Sequence, residues 1–212
     1  MIPSPLTLTL SAKRFSWISE MNKKALRKYY LQKREALGEE NIELLSLKIR
    51  DLFFSSLDLH LIRNIHIFLP IRHKLEVNTW PIVETIFSSY PDKNLIISKS
   101  DPQNCTLENF LFTKDTILHS NPWGIPEPLN GKKVNASIID LVILPLLAFD
   151  HSGNRVGYGK GFYDQFLKDC RKDVIKVGLS LFEGENEDIS EIDEHDERMT
   201  YCITPGKFYK FF

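Results

Sequence analysis

Arg155 and Lys160 stand inside a run of glycines, Gly153, Gly157, Gly159 and Gly161, between an apolar stretch that ends at Pro145 and an amphipathic one that opens at Phe162. Glycine accepts positive φ and lets a ligand approach the backbone closely, so four glycines in nine residues predict a tightly shaped loop. A buried strand, a glycine-rich turn and a helix N-terminus together make an anion cradle, because free amides and the helix dipole both favour phosphate. Two cations within that loop point to a polyanionic ligand, most simply a nucleotide. The familiar nucleotide signatures do not fit. A dinucleotide fingerprint beginning at Gly157 needs glycine where Phe162 stands. A P-loop ending in Gly159-Lys160 needs glycine at Asn154 and a hydroxyl residue at Gly161.

Three further constellations could carry chemistry. Lys23, Arg27 and Arg34 fall within about 40° on a helical wheel and border an apolar face set by Leu26, Tyr30 and Leu37. They form either a basic stripe leaning over a pocket or a solvated helix face. Glu76 follows Pro70 and precedes a helix start at Thr79; alone, such a glutamate reads as solvated or as a dipole-favoured carboxylate. Trp123, in NPWGIPEP, is either a ring platform or an ordinary core tryptophan. No GxSxG elbow is present to complete a triad with His195 and Asp196.

The elements that must position these residues alternate. Helices are predicted over 22–37, 40–57, 79–89 (with Pro81 in the first turn) and 162–172. Strands are predicted over 64–69, 95–98, 109–113, 141–144, 174–181 and 201–204. Apolar runs such as IIDLVIL between helices imply a mostly parallel sheet covered on both faces: one three-layer α/β domain over 21–212. Residues 1–20 lack the basic start and sustained apolar region of a secretory signal and are expected to be a poorly ordered extension.

Charge narrows the function classes. The net charge is −1, against general nucleic-acid binding. Basic residues crowd the N-terminal end, while residues 183–197 hold nine carboxylates and no Lys or Arg, which predicts a solvated, mobile loop. Three widely spaced cysteines make neither a zinc site nor a disulfide framework, and no apolar segment approaches the ~20 residues that span a bilayer. A cytoplasmic monomer with no membrane partner is expected.

Residues 140–166 resemble the signature of the 5-formyltetrahydrofolate cyclo-ligase family, on Pro145, Ala148, Phe149, Asp150, Gly153, Arg155, Gly157, Gly159, Gly161, Tyr163 and Asp164. Weaker matches extend the resemblance over 22–205: Lys23, Leu26 and Arg27; Glu76; Trp123 to Pro128; and His195, Asp196 and Thr204. Two extra residues separate Pro70 from Glu76, the family's glutamine before the acidic loop has no equivalent, and Lys99 matches a family cation only approximately.

The resemblance implies a Rossmann-like α/β fold. It further implies ATP-dependent cyclisation of 5-formyltetrahydrofolate to 5,10-methenyltetrahydrofolate through a phosphorylated formyl group, with Mg²⁺ accompanying ATP. On it, Lys23, Arg27, Arg155, Gly157, Tyr158, Gly159, Lys160, Gly161 and Asp164 are expected to bind ATP. Arg155 and Lys160 would be catalytic, and Glu76, Trp123 and Tyr163 would hold the folate. Asp164 is either the Mg²⁺-associated carboxylate or a cap of the following helix. A folate- or nucleotide-binding protein without turnover is the alternative.

Overall fold

The computed structural model describes residues 22–186 and 188–211. The predicted N-terminal extension lies outside the described residues. The chain starts with two helices, α1 (Lys23–Leu37) and α2 (Glu39–Ser56). Asn22 caps α1, its side chain accepting from Ala25 N at 3.0 Å, and Gly38, at φ +75°, breaks the chain between them.

Next come β1 (Asn64–His66), α3 (Trp80–Ser89), β2 (Asn94–Asp101), β3 (Thr106–Phe112), β4 (Leu118–Ser120), β5 (Pro126–Pro128) and β6 (Lys133–Val134). The C-terminal part holds β7 (Leu141–Pro145), β8 (Ala148–Phe149), β9 (Arg155–Val156), α4 (Phe162–Asp169), β10 (Ile175–Leu179), β11 (Tyr201–Ile203) and β12 (Phe208–Lys210).

Eight strands form the main sheet, in the order β12-β11-β10-β7-β1-β2-β3-β6. The central β11-β10-β7-β1-β2 block is parallel, and β12, β3 and β6 add antiparallel edges. The period of two in each strand sorts its side chains between two cores. Ile65, Leu95, Ile97, Leu141, Ile143, Val177 and Leu179 face α2 and α3 on one side. Ile96, Val142 and Leu144 face Phe166 and Leu167 of α4 on the other. The architecture is therefore the expected mixed α/β sandwich with a mostly parallel sheet and helices on both faces.

Chain order reverses at the β1–β7 boundary. From β1 the chain crosses to β2 on one side, whereas β7 leads through α4 to β10 and β11 on the other. In open α/β sheets the crevice beyond the carboxyl ends at such a switch point is where ligands bind. Here it receives the segments after His66 and after Pro145.

Several boundaries differ from expectation. β1 stops at His66, although Ile67 N still donates to Ile96 O at 2.9 Å. α4 ends at Asp169, because Cys170 turns extended at φ −78°, ψ 166°. β2 and β3 run longer than predicted because they zip together over seven residue pairs from Leu95–Phe112 to Asp101–Thr106. The small β4/β5 and β8/β9 ladders were not predicted at all. Among the described residues no helix is long and apolar enough to cross a membrane. The three cysteines are free thiols.

Candidate active site

A cavity of about 630 Å³ opens at the switch point. Its wall joins α1, the segment after β1, the 122–127 loop, the glycine loop and the first turn of α4. All the residues expected to bind ligand line it: Lys23, Arg27, Glu76, Trp123, Arg155, Gly157, Tyr158, Gly159, Lys160, Gly161, Tyr163 and Asp164. Arg34, the third member of the basic stripe, does not.

The glycine loop is held from below. Asp150, fully buried, accepts from Ser152 N at 3.0 Å, Asn154 N at 2.9 Å, Asn154 Nδ2 at 2.8 Å and Ile189 N at 2.9 Å. Four donors satisfy the buried carboxylate and fix the turn between β8 and β9. α1 packs Leu26 and Tyr30 against Leu147, Ala148 and Val156 of that hairpin, which brings its basic side to the loop. Arg27 Nε donates to Gly157 O at 2.9 Å. Gly159, at φ +83°, approaches so closely that a Cβ there would lie 2.9 Å from Arg27 Cζ. Gly161, at φ +74°, sits at the N-cap of α4 without a side-chain cap, leaving that end's amides to the cavity. Asp164 is the third residue of α4; Gly161 holds the cap position, so the capping alternative for Asp164 does not hold.

The cations differ in how free they are. Among the described residues Lys160 and Arg27 form no salt bridge, and Lys160 is exposed. Lys23 is drawn to Asp196, with Asp193 at 3.6 Å. Partial burial works to raise the Asp196 carboxyl, but the Lys23 hydrogen bond and the Asp193 amide outweigh it and hold the group below its ordinary range. Arg155, whose side chain is 7% exposed, donates to Asp164 Oδ1 at 2.6 Å and to the Glu197 carbonyl. Arg155 is thus anchored, and Lys160 is the exposed charge of the loop without a salt bridge among the described residues.

The acidic run is correspondingly less solvated than its composition implies. Glu185 accepts from Tyr30 Oη, Glu183 accepts from Thr204 Oγ1 at 2.7 Å and from Tyr209 Oη, and Glu197 pairs with Lys176 at 2.9 Å. His195 remains outside the cavity with its side chain exposed. Lys99 is also exposed and does not reach the cavity.

The opposite wall is apolar and aromatic. Trp123 is 40% exposed and meets Phe162 edge-on at 6.2 Å, so it is a cavity wall and not a core residue. Its loop is framed by Asn121, whose Oδ1 accepts from Trp123 N at 2.9 Å and Ile125 N at 3.1 Å. Asn121 Nδ2 in turn donates to buried Glu127 at 2.8 Å. Gly124, at φ +77°, takes a backbone conformation that favours glycine, and a Cβ there would displace the exposed His73 ring, 2.8 Å away. Glu76, 6% exposed, accepts from Ile71 N at 2.7 Å. Burial pushes its carboxyl up, and Ile71, Arg34, Tyr158 and His73 only partly oppose that. Burial also raises the Tyr163 phenol, which stays neutral.

His66 at the cavity floor was not anticipated. It turns toward the α4 side of the sheet, 4.7 Å from the Phe166 ring, and is fully buried, its Nε2 2.7 Å from Ser98 Oγ and its Nδ1 unpartnered. Burial pushes it down to about 3, so it is neutral. The signal that could have found it is a lone histidine among isoleucines in NIHIF.

The sequence model of the 5-formyltetrahydrofolate cyclo-ligase family matches residues 19–205, nearly the whole chain. The chain belongs to this family. The 5-formyltetrahydrofolate cyclo-ligase of Mus musculus is 29% identical over 187 residues, covering 84% of this chain and 90% of that one. The cyclo-ligase of Escherichia coli K12 is 27% identical over 139 residues, covering 64% of this chain and 75% of that one. Among solved structures, the 5,10-methenyltetrahydrofolate synthetase of Aquifex aeolicus aligns with a TM-score of 0.73 at 27% identity, over 90% of this chain and 93% of that chain. A synthetase from Mycoplasma pneumoniae, at 23% identity and a TM-score of 0.66, shares the fold. The family signature thereby acquires a physical division of labour. Asp150 builds the loop, Gly159 and Gly161 shape it, and Arg155 anchors it.

Proposed function

We propose that the protein catalyses the ATP-dependent closure of 5-formyltetrahydrofolate to 5,10-methenyltetrahydrofolate, releasing ADP and phosphate. One observation carries this reading beyond family membership. A single cavity sets unpaired cations and free helix amides against an apolar wall with two buried carboxylates, Glu76 and Glu127, so a polyanion and a flat polar heterocycle can meet inside it.

The chemical difficulty is the leaving group. The formyl oxygen cannot depart as oxide or hydroxide when nitrogen 10 attacks the formyl carbon. Transfer of the γ-phosphoryl group to that oxygen forms an imino-phosphate; nitrogen 10 then closes a five-membered ring and the C–O bond breaks, releasing phosphate. Closure within one molecule gains from proximity, so the protein's task is to align formyl oxygen and phosphate. Phosphoryl transfer asks for charge neutralisation and positioning more than covalent chemistry. Arg27 and Lys160 supply the unpaired charge, and the amides opening α4 supply oriented dipoles. Lys23 and Arg155, each tied to a carboxylate, hold the cradle's shape and contribute charge at its edge. Gly157, Tyr158, Gly159 and Gly161 form its backbone surface.

Glu76, Trp123 and Tyr163 receive the folate, the carboxylate accepting ring N–H groups and the aromatics stacking or bordering the rings. For Mg²⁺, the described residues include no group of three or more His, Cys, Asp or Glu side chains placed to hold a metal ion. Asp164, the acidic residue in the first turn of α4, would hold the cation directly or through water, with phosphate oxygens and water supplying the other ligands. Bound there, Mg²⁺ would neutralise phosphate charge. We place the protein in the cytoplasm as a monomer acting on these two substrates, without nucleic-acid or membrane partners.

Formyl-¹⁸O substrate tests the proposed route. The route requires the label in released phosphate and none in ADP. Product formed with unlabelled phosphate would exclude a phosphorylated formyl group.

A further inference from the structure

Arg34 is the bulkiest fully buried side chain among the described residues, at 2% exposure near the end of α1. Its Nη1 donates to Tyr158 Oη at 3.0 Å, its Nη2 donates to the Leu146 carbonyl, and its Nε has no partner. Guanidinium stays charged at any working pH, and a buried charge without a counterion is costly. No salt bridge meets it among the described residues. The compensating charge is one hydroxyl away. Because Arg34 donates to Tyr158, the phenolic proton of Tyr158 is left free, and the neighbouring acidic group on the same cavity wall is Glu76. Ile71 N donates to the same carboxylate from the other side.

The order of these neighbouring groups is therefore Arg34, Tyr158, Glu76. They join α1, the glycine loop and the segment after β1, the three pieces that carry the two halves of the cavity. We infer that Arg34 is a positioning residue for Glu76: acting through the Tyr158 hydroxyl, it keeps the pocket carboxylate a charged, oriented acceptor for ring N–H groups of the ligand. The inference rests on the proposed placement of the folate ring at Glu76, and it gives Tyr158 a role on the folate side of the site.

The groups facing Glu76 are Arg34 from α1, Tyr158 from the glycine loop, Tyr163 from α4, and His73 and the Ile71 amide from the turn after β1. Burial already pushes the Glu76 carboxyl up, and Arg34 is among the groups opposing it. Without that cation the proton is held more tightly still. A protonated Glu76 offers a donor where the ring needs an acceptor, so binding would be lost at a higher pH than in the wild type.

The experiment measures the dissociation constant of 5-formyltetrahydrofolate without ATP, from about pH 5 to about pH 9, for the wild type and for Arg34→Met, Tyr158→Phe and Glu76→Gln. Arg34→Met should move the acid limb of binding upward by at least about one pH unit, with ATP affinity changed much less. Tyr158→Phe keeps both charges and the ring and should move the limb in the same direction by less; it carries the test if Arg34→Met fails to fold. Glu76→Gln should weaken binding and abolish the limb.

An acid limb unmoved in both Arg34→Met and Tyr158→Phe, with Glu76→Gln still weakening binding, overturns the inference and leaves the folate placement intact. Unchanged folate binding in Glu76→Gln overturns the placement itself. Equal weakening of folate and ATP binding with no shift of the limb would reduce Arg34 to a structural residue and also overturns the inference.

Discussion

His66 makes the protein's stability depend on pH in a way that can be worked out in advance. The imidazole is fully buried, and burial lowers it from 6.5 to about 3. Its folded form is neutral, so its contribution to stability is complete above pH ~6.5. That contribution is lost as pH falls from there toward the folded value, because the unfolded chain binds the proton and the folded one does not. At pH 5 the integrated difference is about 2 kcal/mol, and the full window is worth roughly 5 kcal/mol.

Other groups titrate in the same range, and Glu76, raised by burial, works with the opposite sign. Comparison with His66→Gln cancels them. Urea unfolding at pH ~7 and pH ~5 should show the wild type losing about 2 kcal/mol more than the variant, or about 4–8 °C in melting temperature for a chain of this size. The absolute stability of His66→Gln at neutral pH does not enter, since only the difference in slope is read. Parallel profiles for the two proteins would refute the assignment of His66 as a buried neutral imidazole.

Lys160→Ala should cost on the order of 2–4 kcal/mol in transition-state stabilisation with an unchanged melting temperature, and Lys160→Arg should not restore the rate. Arg155→Ala should cost a similar amount and lower the melting temperature as well, because Arg155 anchors Asp164 and the Glu197 carbonyl; kinetics alongside calorimetry separate the two residues. Gly159→Ala forces a side chain into positive φ and against Arg27, so it should cost about 1–2 kcal/mol in stability and raise the KM for ATP. Gly157→Ala, with open space around it, should melt with the wild type. Trp123→Ala should raise the KM for 5-formyltetrahydrofolate about tenfold with little change in melting temperature, since the indole lies at the cavity wall.

The parallel core was legible because its signals are local. NIHIF, LVIL and IKVGL are short, mostly apolar runs separated by helical patterns, as strands covered on both faces require. The glycine loop was legible because positive φ and close approach each demand glycine, and those demands are written in residue type. What escaped is set by distant partners. β5 reads as Pro-Glu-Pro and looks unlike a strand; it exists because Glu127 is held by Ser100 and Asn121. Arg34 shares a helical-wheel sector with Lys23 and Arg27, yet it turns inward because Leu146 and Tyr158, more than 100 residues away in sequence, wait beneath the loop. The acidic run reads as solvated by composition, whereas Tyr30, Lys23 and Lys176 claim its carboxylates in the fold. Residue type therefore announced the cradle, and tertiary contacts decided which of its cations are free.

Methenyltetrahydrofolate forms a conjugated ring system that absorbs in the near ultraviolet, so the reaction can be watched directly. Purified protein mixed with 5-formyltetrahydrofolate, ATP and Mg²⁺ should give a rise in that absorbance that requires ATP and disappears with Lys160→Ala. Folded protein that binds ATP and 5-formyltetrahydrofolate yet produces no rise would contradict the account and identify a protein that binds both ligands without turning them over.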